Sequence, residues 1–379
     1  MRSRLFSIRS YYAAYFAAMG LIIPFFPLWL QYQQISITNI GLLTGLLAAG
    51  KVVAPPIAGW LADRHLPGGL RIMVVVALSL AALFALSWLA IDNLWVLSVA
   101  IFLFGMLWAA TLPLADQLAI AVSEVRLSSY GRLRAFGSVG FVVTSLGGGF
   151  LLAESGVALL PWSIALLLLL AAAAGLGFPD RTVRSSSEDG VHAPDARLLR
   201  LLLVTGLLMQ ISHGAYYGFF SIYLSMLGYS SWQVGIYWVI AVLAEVVLMW
   251  RFSDRLHAAP PRWVLSICLL LAAVRWIATA SVEQWWLIAL IQLLHAASYA
   301  AFHVTALVWV QRWSQPGRSA AAQGWFSALG FGLGVSLGVM GCGWIISQAG
   351  FAAAWWLSAA VALCGLWLVR TMPGRVVSD

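Results

Sequence analysis

Twelve long apolar runs, spaced along the chain, decide what it can fold into. They fall at about 10–31, 39–61, 70–91, 94–118, 132–153, 157–178, 198–225, 233–252, 263–281, 285–311, 319–347 and 352–370. Each is close to or beyond the roughly 20 residues that an α-helix needs to cross a bilayer. Hydrocarbon offers the backbone no hydrogen-bond partners, so a spanning segment must be a helix or part of a closed barrel. No extended alternation of period two accompanies the runs, which leaves helices. The balance of residue types agrees, with 62% hydrophobic and 9% charged residues against about 25% charged in soluble domains. The expected fold class is an all-α integral membrane protein of twelve transmembrane helices, several of them tilted.

The net charge of +8 is not a nucleic-acid footprint, because its carriers sort by loop. Of 21 Lys and Arg, nineteen lie at the termini, in alternate loops or at helix ends beside those loops. The opposite loops carry only Asp92, Glu154 and Glu283. This positive-inside pattern places both termini in the cytoplasm and requires an even number of spans. The first run has no small-residue cleavage site matched to a short apolar core, so it is expected to stay as a helix. Cys268, Cys342 and Cys364 all fall within runs, at no metal or disulfide spacing, and are expected to be buried packing.

A polar stretch, "PDRTVRSSSEDGVHAPDAR", interrupts the pattern from Pro179 to Arg197. It reads as a cytoplasmic linker, residues 180–197, between an N-terminal six-helix bundle at 1–179 and a C-terminal one at 198–379. The two halves match at a constant shift of 194 residues. Gly20, Gly41, Gly147, Gly149 and Gly156 correspond to Gly214, Gly235, Gly341, Gly343 and Gly350; Phe25-Phe26 corresponds to Phe219-Phe220, and Trp162 to Trp356. Repeated halves about an axis normal to the membrane are a transporter plan, with substrate held near the midplane.

Charges inside the runs are costly, about 2.5–3.5 kcal/mol each at the bilayer centre, and therefore mark candidate sites. They are Lys51, Asp116, Arg134, Glu245 and Arg275, with His213, His295 and His303. The shift of 194 makes Lys51 and Glu245 equivalent positions of opposite charge, able to approach each other across a central cavity. His213 and His303 read as polar residues hydrogen-bonding between helices. Catalytic arrangements are missing: there is no HExxH, no pair of acids at helical spacing and no nucleophile elbow. An enzyme is not expected, nor is a bound metal or other cofactor.

Three resemblances then sharpen the reading. Gly59-Trp60-Leu61-Ala62-Asp63-Arg64 resembles the loop signature between helices two and three of the major facilitator superfamily. A weaker echo, Phe252-Ser253-Asp254-Arg255, occupies the equivalent loop of the second half. That resemblance implies that Asp63, Arg64, Asp254 and Arg255 brace the helices during the conformational switch. The motif Tyr130-Gly131-Arg132-Leu133-Arg134-Ala135-Phe136-Gly137-Ser138 is similar to the start of helix five in the lactose permease family. There an acid 18 positions earlier pairs with this Arg to bind substrate, and Asp116 stands 18 positions before Arg134. The same family has an Arg in helix nine followed 20 residues later by a His, and an acid in helix eight; Arg275, His295 and Glu245 match. The family's proton-carrying Glu has no counterpart, since Ser298 holds its place.

Across all twelve runs the chain resembles the bacterial phenylpropionate permeases. The residues that carry this likeness are Gln210 through Phe219, Ala244-Glu245-Val246, Val274-Arg275-Trp276 and Leu294-His295. The resemblance implies proton-coupled uptake of an aromatic carboxylate through a bacterial inner membrane, by a chain that suffices as a monomer. Arg134 or Lys51 would hold the carboxylate, and Arg suits a bidentate grip. The ring would lie among Trp29, Tyr216, Tyr217, Trp108 and Tyr299. Most of the 20 Trp are expected in interfacial belts instead. Glu245 is the expected proton carrier, since an apolar setting disfavours a charged carboxylate, with His295 second and Arg275 beside them. Alternatives of the same fold are a sugar or nucleoside symporter, for which Asp116 and Arg134 would grip hydroxyls, and a drug exporter.

Overall fold

The computed structural model describes residues 2–62, 69–122, 127–178, 194–315 and 318–373. Among these residues there is no strand. The helices are α1 (Arg2–Tyr32), α2 (Ile37–Ala62), α3 (Gly69–Ser87), α4 (Leu94–Val122), α5 (Leu127–Ser155), α6 (Leu160–Gly175), α7 (Ala196–Ser212), α8 (Gly214–Met226), α9 (Ser231–Ala258), α10 (Pro261–Ser281), α11 (Trp285–Leu293), α12 (Phe302–Trp313), α13 (Ser319–Ser327) and α14 (Val335–Arg370).

Local chemistry sets many of the ends. Asn93 Oδ1 accepts from the Trp95 and Val96 amides and opens α4. Asp195 does the same for α7, accepting from Arg197 and Leu198. Ser230 and Gln233 form a capping box at the start of α9, Gln233 Oε1 accepting from both the amide and hydroxyl of Ser230.

Eleven segments among the described residues are long and apolar enough to cross a membrane. The last, Ala321–Arg370, runs 50 residues, which as continuous helix would reach roughly 75 Å, more than twice the hydrocarbon thickness. It is two crossings joined at Gly350, whose φ of 81° and ψ of 176° are not helical. The fold is therefore the expected all-α one with twelve crossings. Gly156, the residue equivalent to Gly350, adopts φ 85° and ψ 150° at the matching bend of the first half. Both glycines take a conformation that a Cβ would strain.

Three crossings are less regular than expected. The seventh breaks at His213, between α7 and α8. The tenth carries a π-helical turn at Ala296–Ala301, directly after His295, and the eleventh another at Ala328–Gly334. Such turns insert an extra residue and re-aim the side chains around them. One cysteine expectation is corrected: Cys268 and Cys342 are buried, but Cys364 is exposed on α14, because apolar residues can face lipid as readily as the interior.

Contacts group the chain into two units. The first comprises Met1–Ser36, Leu46–Ser185 and Gly228–Ile236; the second comprises Ile37–Gly45, Ser186–Leu227 and Tyr237–Asp379. Helices α2 and α9 thus each begin in one unit and end in the other.

In the first unit α1 packs on α5 and α6, and α3 on α4 and α6. Small residues let the α1 and α5 backbones approach closely, and hydroxyls tie them: Thr144 Oγ1 donates to Ala17 O at 2.7 Å and Ser145 Oγ to Gly20 O at 3.0 Å. A Cβ on Gly140 would meet Ala13 O at 2.1 Å. Gly140→Val is expected to force the two helices apart and cost ~1–3 kcal/mol. Thermal unfolding of the purified protein checks this, and an unchanged midpoint would refute the tight crossing.

In the second unit α14 packs on α7, α8 and α10. Gly214, just after the break, lies so near Gly338 that a Cβ would meet its carbonyl carbon at 2.1 Å. The first turns of α2 belong to this unit, where Ser336 Oγ donates to Gly45 O at 2.8 Å.

Candidate functional site

Each unit holds a polar cluster built around an arginine. In the first unit, Arg134 Nη1 donates to Asp116 Oδ2 at 2.9 Å, so the two residues 18 apart in sequence do pair. Tyr12 Oη donates to the other carboxylate oxygen, Oδ1, and the guanidinium lies 5.6 Å from the Phe16 ring centre. The arginine side chain is 41% exposed and the aspartate 23%. Tyr11, Tyr15, Trp108, Phe104, Trp88 and Phe26 continue from this cluster as a chain of ring contacts, with centroids 4.8–5.9 Å apart.

Trp29 ends that chain, 5.9 Å from Trp88 and 1% exposed. It lies seventeen residues after Tyr12 on α1, roughly 25 Å along the helix. Trp29 therefore packs remote from Arg134 and Asp116, while Tyr12, which the sequence reading passed over, touches them. A Tyr11-Tyr12-x-x-Tyr15 pattern inside a spanning helix was the available signal. Lys51 is half-buried on α2 and forms no ion pair within its unit among the described residues.

In the second unit Arg275 is 0% exposed. Its Nη1 donates to His295 Nδ1 at 2.7 Å and to Ser298 Oγ at 3.3 Å, and its Nη2 to Gln292 Oε1 at 3.0 Å. The guanidinium carbon sits 4.1 Å from the Tyr216 ring centre and 4.5 Å from that of Trp276. On the far side of the imidazole, His295 Nε2 lies 2.9 Å from Glu245 Oε1.

This line fixes a tautomer. Guanidinium can only donate, so His295 Nδ1 must be the acceptor, and Nε2 then carries the hydrogen and donates to Glu245. A second proton on Nδ1 would place two donors face to face at 2.7 Å. His295 thus stands as a neutral bridge between a cation and a carboxyl group.

The structure brings together Glu245, Arg275, His295, Tyr216 and, one ring further, Tyr217 at 5.5 Å from Tyr216. Within this unit Glu245 pairs with His295, and Arg275 stands one residue removed. Gln292, buried three residues before His295, was not anticipated; an intramembrane Gln on the histidine's helix face was its trace. Ser298, which stands where the lactose permease family has a Glu, accepts from Arg275 instead.

His213 does not bond between helices: its Nδ1 lies 2.8 Å from Met209 O on its own chain. His303 is held among the rings of Tyr299, Phe326 and Phe331. Asp254 and Arg255 are exposed near the end of α9, with the Arg255 guanidinium 5.6 Å from the Phe252 ring. Asp63 and Arg64 lie outside the described residues. An apolar cleft of about 550 Å³ between α2, α3 and α4, lined by Ala54, Ile72, Val76 and Met106 among others, includes none of the predicted site residues. Among the described residues no group of three His, Cys, Asp or Glu could hold a metal ion.

Twelve crossings and polar clusters within the spans fit a multi-pass membrane transporter of the major facilitator type, as the family match shows. Residues 5–357 match the model of the MFS_1 like family, and the chain belongs to that family. It is 29% identical over 372 residues to a probable 3-phenylpropionic acid transporter of Escherichia coli (strain K12), covering 94% of this chain and 95% of the relative. It is 28% identical over 335 residues to a maltose permease of Geobacillus stearothermophilus, covering 86% and 83%. The crystal structure of the nucleoside transporter NupG superposes with a TM-score of 0.78 at 16% identity, covering 98% of each chain.

Proposed function

We propose that this protein is a proton-coupled importer of a small organic carboxylate, an aromatic acid of the 3-phenylpropionate kind, in a bacterial inner membrane with both termini cytoplasmic. The observation that carries the reading is the Arg275–His295–Glu245 line. It places a carboxyl group in a protein interior where one added or removed proton changes the charge balance of the whole cluster. Arg275 spends its terminal nitrogens on His295, Gln292 and Ser298, so it holds the proton machinery rather than the solute. Substrate recognition then falls to the first unit. The relative named as a probable 3-phenylpropionic acid transporter supports the choice of solute.

A second reading has its own support. Arg134 is already neutralised by Asp116, and such a pair suits the hydroxyls of a neutral sugar or nucleoside. An anion needs an uncompensated cation, which Lys51 supplies. The two readings therefore separate on two substitutions. For a carboxylate substrate, Lys51→Ala is expected to weaken binding by on the order of tenfold or more, the worth of a charge-assisted hydrogen bond. For a neutral solute, Asp116→Asn carries the larger loss and Lys51→Ala little. Uptake of labelled 3-phenylpropionate, maltose and uridine into proteoliposomes, with and without a proton ionophore, tests the whole reading. Accumulation that the ionophore leaves untouched would remove proton coupling from it.

A further inference from the structure

The apolar cleft of the first unit has a direction. On α3 its wall runs as one stripe from Gly69 to Leu80, eleven residues that rise roughly 16 Å along the helix. On α2 the wall includes Ala54 and Ala58, and on α4 Met106 and Ala110. A Cβ on Gly50 would meet Gly105 C and Met106 N at 2.4 Å, so the α2 and α4 backbones touch at the level of Met106.

Lys51 is the next residue. It precedes Ala54 by three positions and Ala58 by seven, which puts it on the stripe of α2 that walls the cleft. It also stands eleven residues before the end of α2, as Leu80 stands eleven after the start of α3. A short connection makes two helices antiparallel neighbours, so Lys51 and Leu80 share a depth. The lysine therefore stands at the inner end of the cleft, one turn beyond its wall.

A cation within a span is costly unless a partner offsets it. Arg134 has Asp116, and Arg275 has His295, Gln292 and Ser298. Lys51 pairs with no acid of its unit among the described residues. It lies fourteen residues from the start of α2 and eleven from its end, at least roughly 16 Å along the helix from either. A lipid headgroup stays at the membrane surface, so the anion that suits Lys51 is a free acid.

We propose that the cleft is the tail subsite for the transported acid, with Lys51 Nζ holding the carboxylate and the apolar tail lying along the cleft. The substrate class is then monocarboxylates with an extended aryl or alkyl tail. The volume of about 550 Å³ lies within the roughly 300–1,000 Å³ of small-molecule sites. Its walls are Ala, Gly, Val, Ile, Leu and Met throughout, so a sugar or nucleoside would give up water there with no replacement.

The assignment rests on the carboxylate reading above, and its test separates the two. Labelled 3-phenylpropionate bound to the purified protein is displaced by benzoate, phenylacetate, 3-phenylpropionate and 4-phenylbutyrate, each one methylene longer than the last. Every methylene buried in the cleft is expected to tighten binding about fourfold. Ala110→Leu fills the space from α4 and Ala77→Leu from α3. Either should weaken 4-phenylbutyrate on the order of tenfold and leave benzoate within about twofold. Lys51→Ala should erase the preference for 3-phenylpropionate over 3-phenylpropionamide and keep the dependence on length.

A flat series in the wild type overturns the proposal without any variant. So does a rising series that both Leu variants leave unchanged, or an acid preference that survives Lys51→Ala. A phospholipid that co-purifies with the wild type and is lost from the Leu variants, with the acid series unaltered, would give the cleft to membrane lipid instead. If the wild type fails to bind the label, or binds the amide as well as the acid, the carboxylate reading fails and the tail subsite with it. If the acid is preferred but length has no effect, only the tail subsite fails.

Discussion

Replacing Glu245 with Gln is expected to abolish accumulation while leaving exchange intact. The amide has nearly the shape of the acid, and its Oε1 accepts the His295 Nε2–H that Glu245 now accepts at 2.9 Å. The cluster should therefore keep its geometry, and Arg275 its partners. What disappears is the capacity to gain and lose a proton. A pH difference of one unit is worth ~1.4 kcal/mol per proton, which sustains about tenfold accumulation of a solute carried with one proton. In the variant the ratio should collapse to about one under the same gradient. Counterflow of labelled 3-phenylpropionate should persist, because exchange returns the loaded protein without discharging it. A variant that still concentrates its solute tenfold would place the coupling proton elsewhere, with Asp116 as the next carboxyl to test.

The depth at which this site could be read from sequence varied with the physics involved. Span positions depend on composition, because lipid leaves only helix or closed barrel and no period-two alternation is present. The repeat was legible as well: Gly156 and Gly350 match in sequence and share the same left-handed φ. The resemblance to the lactose permease family pointed to Asp116 and Arg134, which do pair, and to Arg275 and His295, whose side chains meet.

What stayed hidden depends on rotation and local backbone. A π turn leaves no composition signal, so nothing in the residue string places Ser298 Oγ against Arg275. The seventh crossing reads as unbroken because His213 and Gly214 are both tolerated within spanning helices. Trp29 was expected among the aromatics around a bound ring, yet ring chemistry says nothing about which face a residue occupies or how far along the axis it lies. Tyr12 was passed over for the same reason. Cys364 shows the limit of burial arguments in lipid, where a nonpolar surface is no penalty.

The second large effect is expected at Arg275, where removing the charge should destabilise the second unit as well as stop transport. Arg275→Met roughly preserves length and packing against Tyr216 and Trp276. It leaves His295 Nδ1, Gln292 Oε1 and Ser298 Oγ without the donor they share, and it leaves Glu245 as a buried acid with no cation behind its histidine. Breaking a buried charged network by deleting one partner typically costs ~3–5 kcal/mol. Chemical denaturation in detergent would measure it. The diagnostic variant is the double, Arg275→Met with Glu245→Gln. With both charges gone the cation and the acid no longer need each other, so part of the loss should return, a coupling of ~0.5–3 kcal/mol between residues that never touch. His295 is the bridge, so replacing it with Phe should cancel that coupling. Should the two single losses simply add, Glu245 and Arg275 act independently and the line through His295 is not an electrostatic unit.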